Sequence, residues 1–356
     1  MLVNSIKLEF FRNYKKQTFE FDNDTTIIVG PNGAGKTNIL EAIVLLSTAK
    51  SARVAIEKDL VNVDSEYARV IGNYDTGDKL EIGLQVNPNS SRIRKIYKVN
   101  GAPRTGAKFI GTSKTVYFAP EDIRLVAGSP SRRREYLDRV LSQTSKDYYS
   151  SLLKYNKIIK QRNKILEQSQ GQILHNIYKT QLEFWNDQLL LYGKIIQNAR
   201  KNFFEFAKEN LNEISKGLYM DSLNLELEYM PNYLSESKLG SVLQRELLRG
   251  TTQIGPHRDD FIFHLDKAGR VFDLKSYGSR GQQRTGVLCL KVLELKYILS
   301  TTRVTPILLM DDIFSELDSE YRSHVESIVK NHQTIITTAD IHSIPFNLKK
   351  SAMIEL

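Results

Sequence analysis

Eight consecutive residues have the types and spacing of a phosphate-binding loop. They are Gly30-Pro31-Asn32-Gly33-Ala34-Gly35-Lys36-Thr37, which fit the pattern G-x-x-x-x-G-K-[ST]. Glycines let the backbone curl so that its N–H groups point at phosphate. We expect Lys36 to be exposed in the empty loop and to reach the terminal phosphates, and the Thr37 hydroxyl to ligate Mg²⁺. The loop predicts ATP and Mg²⁺ as cofactors, against the alternative of a structural glycine turn.

An acidic pair supplies the partner that such a loop needs. The apolar run 305–310 is followed at once by Asp311 and Asp312. At the end of a strand both carboxylates point towards the phosphates, so Asp311 is predicted to hold Mg²⁺ through the water shell of the ion, and Asp312 to orient or deprotonate the attacking water. The alternative is that the two acids cap the next helix.

A second small, glycine-rich turn precedes a helical pattern that begins at Val287. It contains Ser279, Gly281 and Gln282. Glycine-rich turns at helix starts are a further phosphate-binding device, although similar loops are common. We take these three residues as candidate nucleotide contacts because the turn comes directly before the strand that ends in the acidic pair.

The elements around these motifs alternate in type. A buried-strand run at 26–29 precedes the loop and a helical pattern follows it, while 79–86 and 94–99 read as strands joined to a turn at Asn100-Gly101. From Ser129-Pro130 to about residue 216 the spacing is helical. Residues in the second half of that segment alternate by three and four, which predicts an antiparallel coiled-coil hairpin: Leu182, Trp185, Leu189, Tyr192, Ile196, Ala199, Phe203 and Phe206.

The predicted organisation is an α/β ATPase head split by an inserted, mainly helical lobe. The head would comprise residues 1–128 and 251–356, and the lobe residues 129–250. A chain of 356 residues, 41% hydrophobic and 26% charged, is large enough for two domains and too apolar for global disorder. The single cysteine, Cys289, excludes an internal disulfide framework and a cysteine-built zinc site.

The charge is unevenly distributed. The chain has a net charge of +9, and residues 131–216 contain 16 basic and 9 acidic residues. A localised basic surface indicates a polyanion partner such as DNA, and a solvated helical face is the alternative. The sequence contains neither an apolar run long enough to span a membrane nor a signal-peptide pattern, so we expect a soluble, intracellular protein without membrane partners.

Other polar residues are weaker candidates. The cluster 257–260 could form either a metal site or a hydrogen-bonded structural group. Basic residues of two segments could contact DNA. The first segment contains Arg92, Arg94, Lys95 and Lys98, which could instead form a solvated strand edge. The second contains Arg132, Arg133 and Arg134, which could instead pair with carboxylates.

The order of these motifs resembles the ATP-binding-cassette ATPases, with residues 279–282 as the signature loop and Ser315-Glu316-Leu317-Asp318 as the D-loop. More closely, the whole chain resembles the RecF family, the recombination mediators of the SMC-like branch. The resemblance is carried by Phe11-Arg12-Asn13-Tyr14, residues 37–42, Phe118-Ala119-Pro120-Glu121-Asp122, Gly128-Ser129-Pro130 with the three arginines after it, residues 255–260 and residues 278–285.

This resemblance implies an ATP-dependent homodimer in which Ser279 of one chain closes on ATP held by the other. Arg53 lies where the family has an arginine that can reach phosphate, and the implied role indicates a cytoplasmic, nucleoid-associated protein. The resemblance also implies sequence-independent binding of duplex DNA next to single-strand gaps, loading of a recombinase with RecR and RecO, and an ATPase acting as a switch. Two departures predict weak hydrolysis: the second acid is Asp312 instead of Glu, and the switch histidine is absent, leaving Thr338, Asp340 or His342 as substitutes. The competing functions are the ATPase subunit of a membrane transporter and a nuclease coupled to an SMC-like head.

Overall fold

The computed structural model describes residues 1–53, 56–87, 93–169, 176–218, 224–267, 269–315 and 319–356. The chain divides into two compact units. The first unit comprises residues 1–122 and 290–356, and the second comprises residues 123–289. The two segments of the first unit confirm that an α/β fold is interrupted by an insertion.

The first unit contains two sheets. Over the described residues, one is an antiparallel sheet of six strands in the order β2-β1-β4-β5-β6-β7, and the other is a parallel sheet of five strands in the order β14-β3-β13-β12-β8. The strands are β1 (Val3–Phe11), β2 (Tyr14–Glu20), β3 (Thr25–Val29), β4 (Tyr67–Tyr74), β5 (Lys79–Val86), β6 (Ile93–Val99), β7 (Ala102–Arg104), β8 (Thr115–Phe118), β12 (Ile307–Asp311), β13 (Thr334–Thr338) and β14 (Ala352–Glu355).

The parallel sheet places the candidate residues at one edge. Its central strands are apolar and buried, as expected for strands covered on both faces. Helices α1 (Lys36–Thr48), α2 (Gly106–Phe109) and α10 (Ser319–Val329) complete this part of the unit. Because β3, β12, β13 and β8 run parallel, the chain leaves all four at the same edge of the sheet, where ligands bind in folds of this type.

The antiparallel sheet carries a row of alternating charges. On adjacent strands, Arg69 contacts Glu9 at 3.6 Å and Glu81 at 2.7 Å, and Lys98 contacts Glu81 at 3.1 Å. Lys7 adds a contact of 2.6 Å to Glu9. We call these five residues the charge ladder. Cross-strand pairs of opposite charge stabilise the register of the strands that carry them.

The second unit is mainly helical and includes a small antiparallel sheet in the order β11-β10-β9. It is longer than the predicted insertion of 129–250, because residues 123–128 and 251–289 belong to it. Its elements are α3 (Arg124–Ala127), α4 (Pro130–Thr144), α5 (Lys146–Gln168), α6 (Asn176–Gly217), β9 (Asn224–Met230), α7 (Glu236–Arg249), β10 (Asp260–Lys267), β11 (Arg270–Asp273) and α8 (Leu274–Tyr277); α9 (Arg280–Thr302) begins here and ends in the first unit.

Helices α5 and α6 form the predicted antiparallel hairpin. Lys154 contacts Tyr192 at 3.1 Å and Arg162 contacts Asn186 at 2.8 Å. A later residue of α5 therefore contacts an earlier residue of α6, which shows that the two helices run antiparallel. Alternate positions of the predicted seam, Leu182, Leu189, Ile196 and Phe203, are all at most 3% exposed. The other four positions of the seam, Trp185, Tyr192, Ala199 and Phe206, are half-buried. Among the described helices, none is long and apolar enough to cross a membrane.

Candidate nucleotide-binding site

The loop of residues 30–37 connects the end of β3 to the start of α1. Gly33 and Gly35 have φ angles of 86° and 107°, in the left-handed region that favours glycine. A Cβ at Gly35 would also lie 2.6 Å from both the Asn13 side-chain nitrogen and the Tyr14 hydroxyl. Glycine is therefore required at position 35 for its conformation and for space. The N-terminus of α1 adds a dipole that favours an anion at the loop.

Lys36 is folded back onto this loop. Its Nζ donates hydrogen bonds to the carbonyl oxygens of Gly30 at 2.6 Å and Pro31 at 3.0 Å. The residue is only 7% exposed, so the expectation of an exposed lysine is wrong. The carbonyl oxygens take the place that an anion would fill, because a buried ammonium group needs acceptors.

Asp311 is held by hydroxyl groups from three different elements. Thr37 Oγ1 and Thr337 Oγ1 donate to Asp311 Oδ1 at 2.8 and 2.7 Å, and the Tyr117 hydroxyl donates to Oδ2 at 2.9 Å. Burial, followed by the nearby negative charge of Asp311, raises the pKa of Tyr117 well above its usual value, so the phenol is a neutral donor. Thr37 and Asp311, the two residues predicted to hold Mg²⁺, are therefore in direct contact, and both offer oxygen atoms of the kind that this ion prefers.

Asp312 has an unusual backbone conformation beside this group. Its φ is 50°, and its N–H lies 3.1 Å from both the carbonyl and the hydroxyl oxygen of Thr337. Asp311 does not cap a helix, as the alternative interpretation required, because its carboxylate accepts hydrogen bonds from Thr37, Thr337 and Tyr117.

Tyr117 and Thr337 were not identified from the sequence. They lie on β8 and β13, the two strands that flank β12. Each of the two residues is a hydroxyl donor near the end of an apolar run, and that pattern is visible in the sequence. It does not identify them as partners of Asp311, because apolar runs do not reveal which strands are neighbours.

The segment between β1 and β2 contacts both the loop of residues 30–37 and helix α1. Arg12 donates two hydrogen bonds to the buried Glu41 of α1, at 2.8 and 2.9 Å, and Ser51 donates to the same carboxylate. The Arg53 N–H in turn donates to Ser51 Oγ at 2.9 Å. Asn13 donates to the Ala34 carbonyl oxygen at 3.2 Å.

Arg53 itself is exposed beside the first turn of α1. Its guanidinium lies 3.4 Å from Asn38 Oδ1, and its positive charge opposes the rise in the pKa of Tyr117. Arg53 therefore stands near the acidic end of the site, as a phosphate contact would require.

The three candidates to replace a switch histidine lie at the end of β13 and in the turn that follows it. The Thr338 hydroxyl donates to the Asp340 carbonyl oxygen at 2.9 Å, and the Asp340 carboxylate accepts from the His342 N–H at 2.8 Å. Thr338 is buried and His342 is exposed. Of the predicted D-loop, residues 316–318 lie outside the described residues.

In the second unit, the predicted signature loop is a helix cap. Ser279 Oγ accepts a hydrogen bond from the Gln282 N–H at 3.2 Å, and Gln282 Oε1 accepts from the Ser279 N–H at 3.0 Å. This reciprocal pair is a capping box at the start of α9. Ser279 and Gly281 are exposed, so the cap leaves the N-terminus of a long helix open to a partner.

The cluster 257–260 is hydrogen-bonded and structural. Asp259 is fully buried and accepts from Arg200 at 2.8 Å, Tyr229 at 2.6 Å and Gln197 at 3.0 Å. Burial lowers the pKa of His257 to about 4, so the imidazole is neutral at pH 7. In the described part of the chain, no group of three or more His, Cys, Asp or Glu side chains could hold a metal ion.

Of the two interpretations of Arg132, Arg133 and Arg134, the structure shows pairing with a carboxylate for Arg133. Arg133 is 7% exposed and forms a two-pronged ion pair with Asp260, at 2.7 and 2.9 Å. Arg134 donates to the Asp259 carbonyl oxygen at 3.0 Å, while Arg132 is exposed. The heptad spacing of α4 turns Arg133 inward, where a guanidinium needs a carboxylate partner.

Basic residues elsewhere divide in the same way. On β6, Lys95 contacts Glu57 and Lys98 contacts Glu81, whereas Arg94 is exposed; Arg92 lies outside the described residues. On α5, exposed lysines share one face by their helical spacing, and we call them the α5 lysine row: Lys146, Lys157, Lys160 and Lys164.

Comparison with known proteins places these features in a family. The family model described as the RecF/RecN/SMC N terminal domain matches residues 2–344. Proteins called DNA replication and repair protein RecF, from Bacillus cereus strain G9842 and Bacillus thuringiensis strain Al Hakam, are each 35% identical over 367 aligned positions, covering 99% of this chain and 96% of theirs.

Solved structures agree. The recombination mediator protein RecF in the RecFOR pathway, solved as RecF-ATPrS, has 32% identity and a TM-score of 0.86, covering 99% of this chain and 95% of its own. The RecF-ATP structure has 33% identity and a TM-score of 0.85, with 97% and 93% coverage. The Smc head domain from Pyrococcus furiosus, at 19% identity and a TM-score of 0.53, shares the fold alone.

Proposed function

The chain belongs to the RecF family, and on that premise we propose that it is an ATP-dependent DNA-binding protein of recombinational repair and replication restart. The observation that carries this proposal is the contact between Thr37 Oγ1 and Asp311 Oδ1 at 2.8 Å, which joins the phosphate-binding loop to the acid of β12. It is supported by relatives of nearly full length that are named DNA replication and repair proteins.

ATP is proposed to bind at residues 30–37. Lys36 would exchange the carbonyl oxygens of Gly30 and Pro31 for phosphate oxygens, and the α1 N-terminus would receive the phosphates. Thr37 and Asp311 would hold Mg²⁺, which when bound neutralises charge on the β- and γ-phosphates. Both ligands are oxygen atoms and already lie in contact, so the residues present fit that ion.

Hydrolysis is proposed to be slow and to serve as a switch. Asp312 would orient the attacking water, and its carboxylate is one methylene shorter than the glutamate usual at this position in cassette ATPases. A switch histidine is also missing at the end of β13. Thr338 stands there instead, buried and hydrogen-bonded to the Asp340 carbonyl oxygen.

Dimerisation is proposed to be ATP-dependent and head to tail. The capped N-terminus of α9, with Ser279 exposed, would close on ATP held by residues 30–37 of a second copy, and Gly281 leaves space for a phosphate. RecF-ATP and RecF-ATPrS structures of the family support nucleotide as the ligand.

DNA contact is proposed to involve phosphates and therefore to be independent of sequence. The α5 lysine row supports this, because ammonium groups on one helix face can follow a phosphate backbone. By family membership, the target would be duplex DNA next to a single-strand gap, and RecR and RecO would be partners in loading a recombinase. A cytoplasmic, nucleoid-associated location follows from that role.

Sedimentation of the protein with and without ATP, and then with gapped duplex DNA, tests the proposal. We expect a monomer alone, a dimer with ATP and Mg²⁺, and co-sedimentation with DNA when ATP is present. Lys36→Ala should remain monomeric and folded, since the loss of two hydrogen bonds costs only about 1–3 kcal/mol. Lys58→Ala, which removes an exposed lysine of the same unit, is the control. Normal dimerisation of folded Lys36→Ala with ATP would overturn the nucleotide assignment.

A further inference from the structure

The Asp311 carboxylate is fixed at both of its oxygen atoms. Oδ1 receives two threonine hydroxyls, from Thr37 and Thr337, whereas the bond to Oδ2 comes from the Tyr117 phenol at 2.9 Å. We infer that Tyr117 is a positioning residue for the divalent cation: it fixes the rotation of Asp311 so that Oδ1 faces Thr37. This inference rests on the proposed Mg²⁺ role of Thr37 and Asp311.

The strand register explains how the phenol reaches the acid. Tyr117 pairs with Leu309 across the parallel strands β8 and β12, so its ring lies on the face of the sheet that Leu309 shares with Asp311. A tyrosine is long enough to extend along that face to the carboxylate two residues further on. The ring is only 4% exposed, which confines the hydroxyl to this contact.

The backbone of Tyr117 is anchored as well. Lys291, on α9 within the first unit, is fully buried, and its Nζ donates to the Tyr117 carbonyl oxygen at 2.6 Å. The same ammonium group lies 3.2 Å from Asp122 Oδ2. A buried lysine shared between a carboxylate and this carbonyl holds the strand end in place, and with it the ring.

The chemistry of the donor suits this role. A neutral phenol satisfies Oδ2 without supplying a positive charge, so the carboxylate keeps its charge for the cation. Phenylalanine would fill the same space but leave Oδ2 without this donor, and the carboxylate could then rotate. Loss of a group that orients a metal ligand typically weakens metal affinity or activity by about 10–100-fold.

Equilibrium binding of a fluorescent ATP analogue tests the inference. The concentration of Mg²⁺ that half-saturates the enhancement of binding is measured for the wild type and Tyr117→Phe, and affinity is measured again in EDTA. We expect the Mg²⁺ requirement to rise by about 10–100-fold in Tyr117→Phe. Affinity in EDTA should be unchanged, because Lys36 and the loop are untouched.

Two further variants separate the possible outcomes. Asp311→Asn removes the proposed metal ligand, and Tyr74→Phe removes the phenol of another buried tyrosine, on β4. If Asp311→Asn shows the wild-type Mg²⁺ requirement, the proposed cation site fails. If Asp311→Asn raises the requirement but Tyr117→Phe matches Tyr74→Phe, the site stands and the role of Tyr117 is overturned. Equal losses by Tyr117→Phe in Mg²⁺ and EDTA, with a lowered melting temperature, would also overturn it by showing a purely structural role.

Discussion

At the residue scale, the two adjacent acids differ because their surroundings differ. Asp311 is 7% exposed, and its carboxylate accepts hydrogen bonds from Thr37, Thr337 and Tyr117. Asp312 is half-buried, and the contacts to Thr337 that fix its place are made by its backbone. A substitution of the Asp312 side chain therefore leaves its backbone anchor intact, whereas the same change at Asp311 disturbs a bonded group.

We predict that Asp312→Asn binds ATP and dimerises normally but hydrolyses ATP more slowly, by about 100-fold or more. Asparagine keeps the size of the side chain and tolerates the positive φ of 50° at this position. Single-turnover hydrolysis measured beside nucleotide affinity checks both halves of the prediction. An unchanged rate in a folded variant would remove Asp312 from the reaction.

Some residues of the candidate site can be predicted from the sequence and others cannot. Lys36, Thr37 and Asp311 can be proposed from the sequence because their types and local spacing carry the information. Tyr117 cannot, because it meets Asp311 across 194 positions of chain, through a strand order that apolar runs do not reveal. Both interpretations of Arg133 stay open in the sequence, because a charge count cannot separate a solvated guanidinium from one paired with a carboxylate.

At the element scale, the charge ladder and the α5 lysine row use charge in opposite ways. In the ladder each carboxylate lies between cations, so the charges cancel locally and stabilise the sheet. In the row the lysines are exposed along one helix face. The first arrangement predicts an effect on folding and the second an effect on binding.

The ladder predicts a dependence of stability on pH. The pKa of Glu9 is lowered, mainly by its hydrogen bond from Lys7. Burial alone would raise the pKa of Glu81, but the hydrogen bonds from Arg69 and Lys98 outweigh it, so this pKa is also lowered. Because both folded-state values are depressed, this stabilisation is present above the unfolded pKa of about 4.3 and is lost as the pH falls through the folded values.

Glu81→Gln should therefore cost up to about 1 kcal/mol of unfolding free energy at pH 7, with the difference from wild type shrinking below about pH 4. Urea denaturation at several pH values measures this. Glu20→Gln, at an exposed carboxylate of β2, serves as the control. A difference between Glu81→Gln and wild type that did not shrink between pH 7 and pH 3 would contradict an ionic origin.

The α5 lysine row predicts a salt effect on DNA binding. Each phosphate contact contributes about −0.9 to the slope of log K against log salt. Replacing Lys157, Lys160 and Lys164 by alanine should flatten that slope by about two to three units, equally on unrelated sequences.

A matched triple on α6, Lys194, Lys201 and Lys208, lies at heptad spacing and is also exposed. It should change the slope less, because Lys201 already lies 3.6 Å from Glu205. Equal flattening by both triples would show that total charge matters and not the α5 face. No flattening by the α5 triple would remove this helix from the DNA site.

At the scale of the whole molecule, the proposed site would be completed by a second copy. Ser279→Arg should bind ATP but remain monomeric, because the long side chain would obstruct the space where a second copy presents its nucleotide. Ser279→Ala is the matched control: it also loses the capping hydrogen bond, at a cost of about 1 kcal/mol, but keeps the space free. Analytical ultracentrifugation with ATP distinguishes the two variants. Wild-type hydrolysis by Ser279→Arg would contradict the composite site.

The basic residues of the long hairpin are divided by type. Among the described side chains of α5 and α6, the buried cations are arginines, Arg162 and Arg200, each held by carboxylates, whereas the exposed ones are lysines. A guanidinium stays protonated and is inert to mild acylation, but an exposed amine is not. Acetylation would thus remove the charge that faces solvent while sparing the charges that anchor the hairpin to neighbouring elements of its unit, so affinity for a polyanion could be tuned covalently without unfolding the protein.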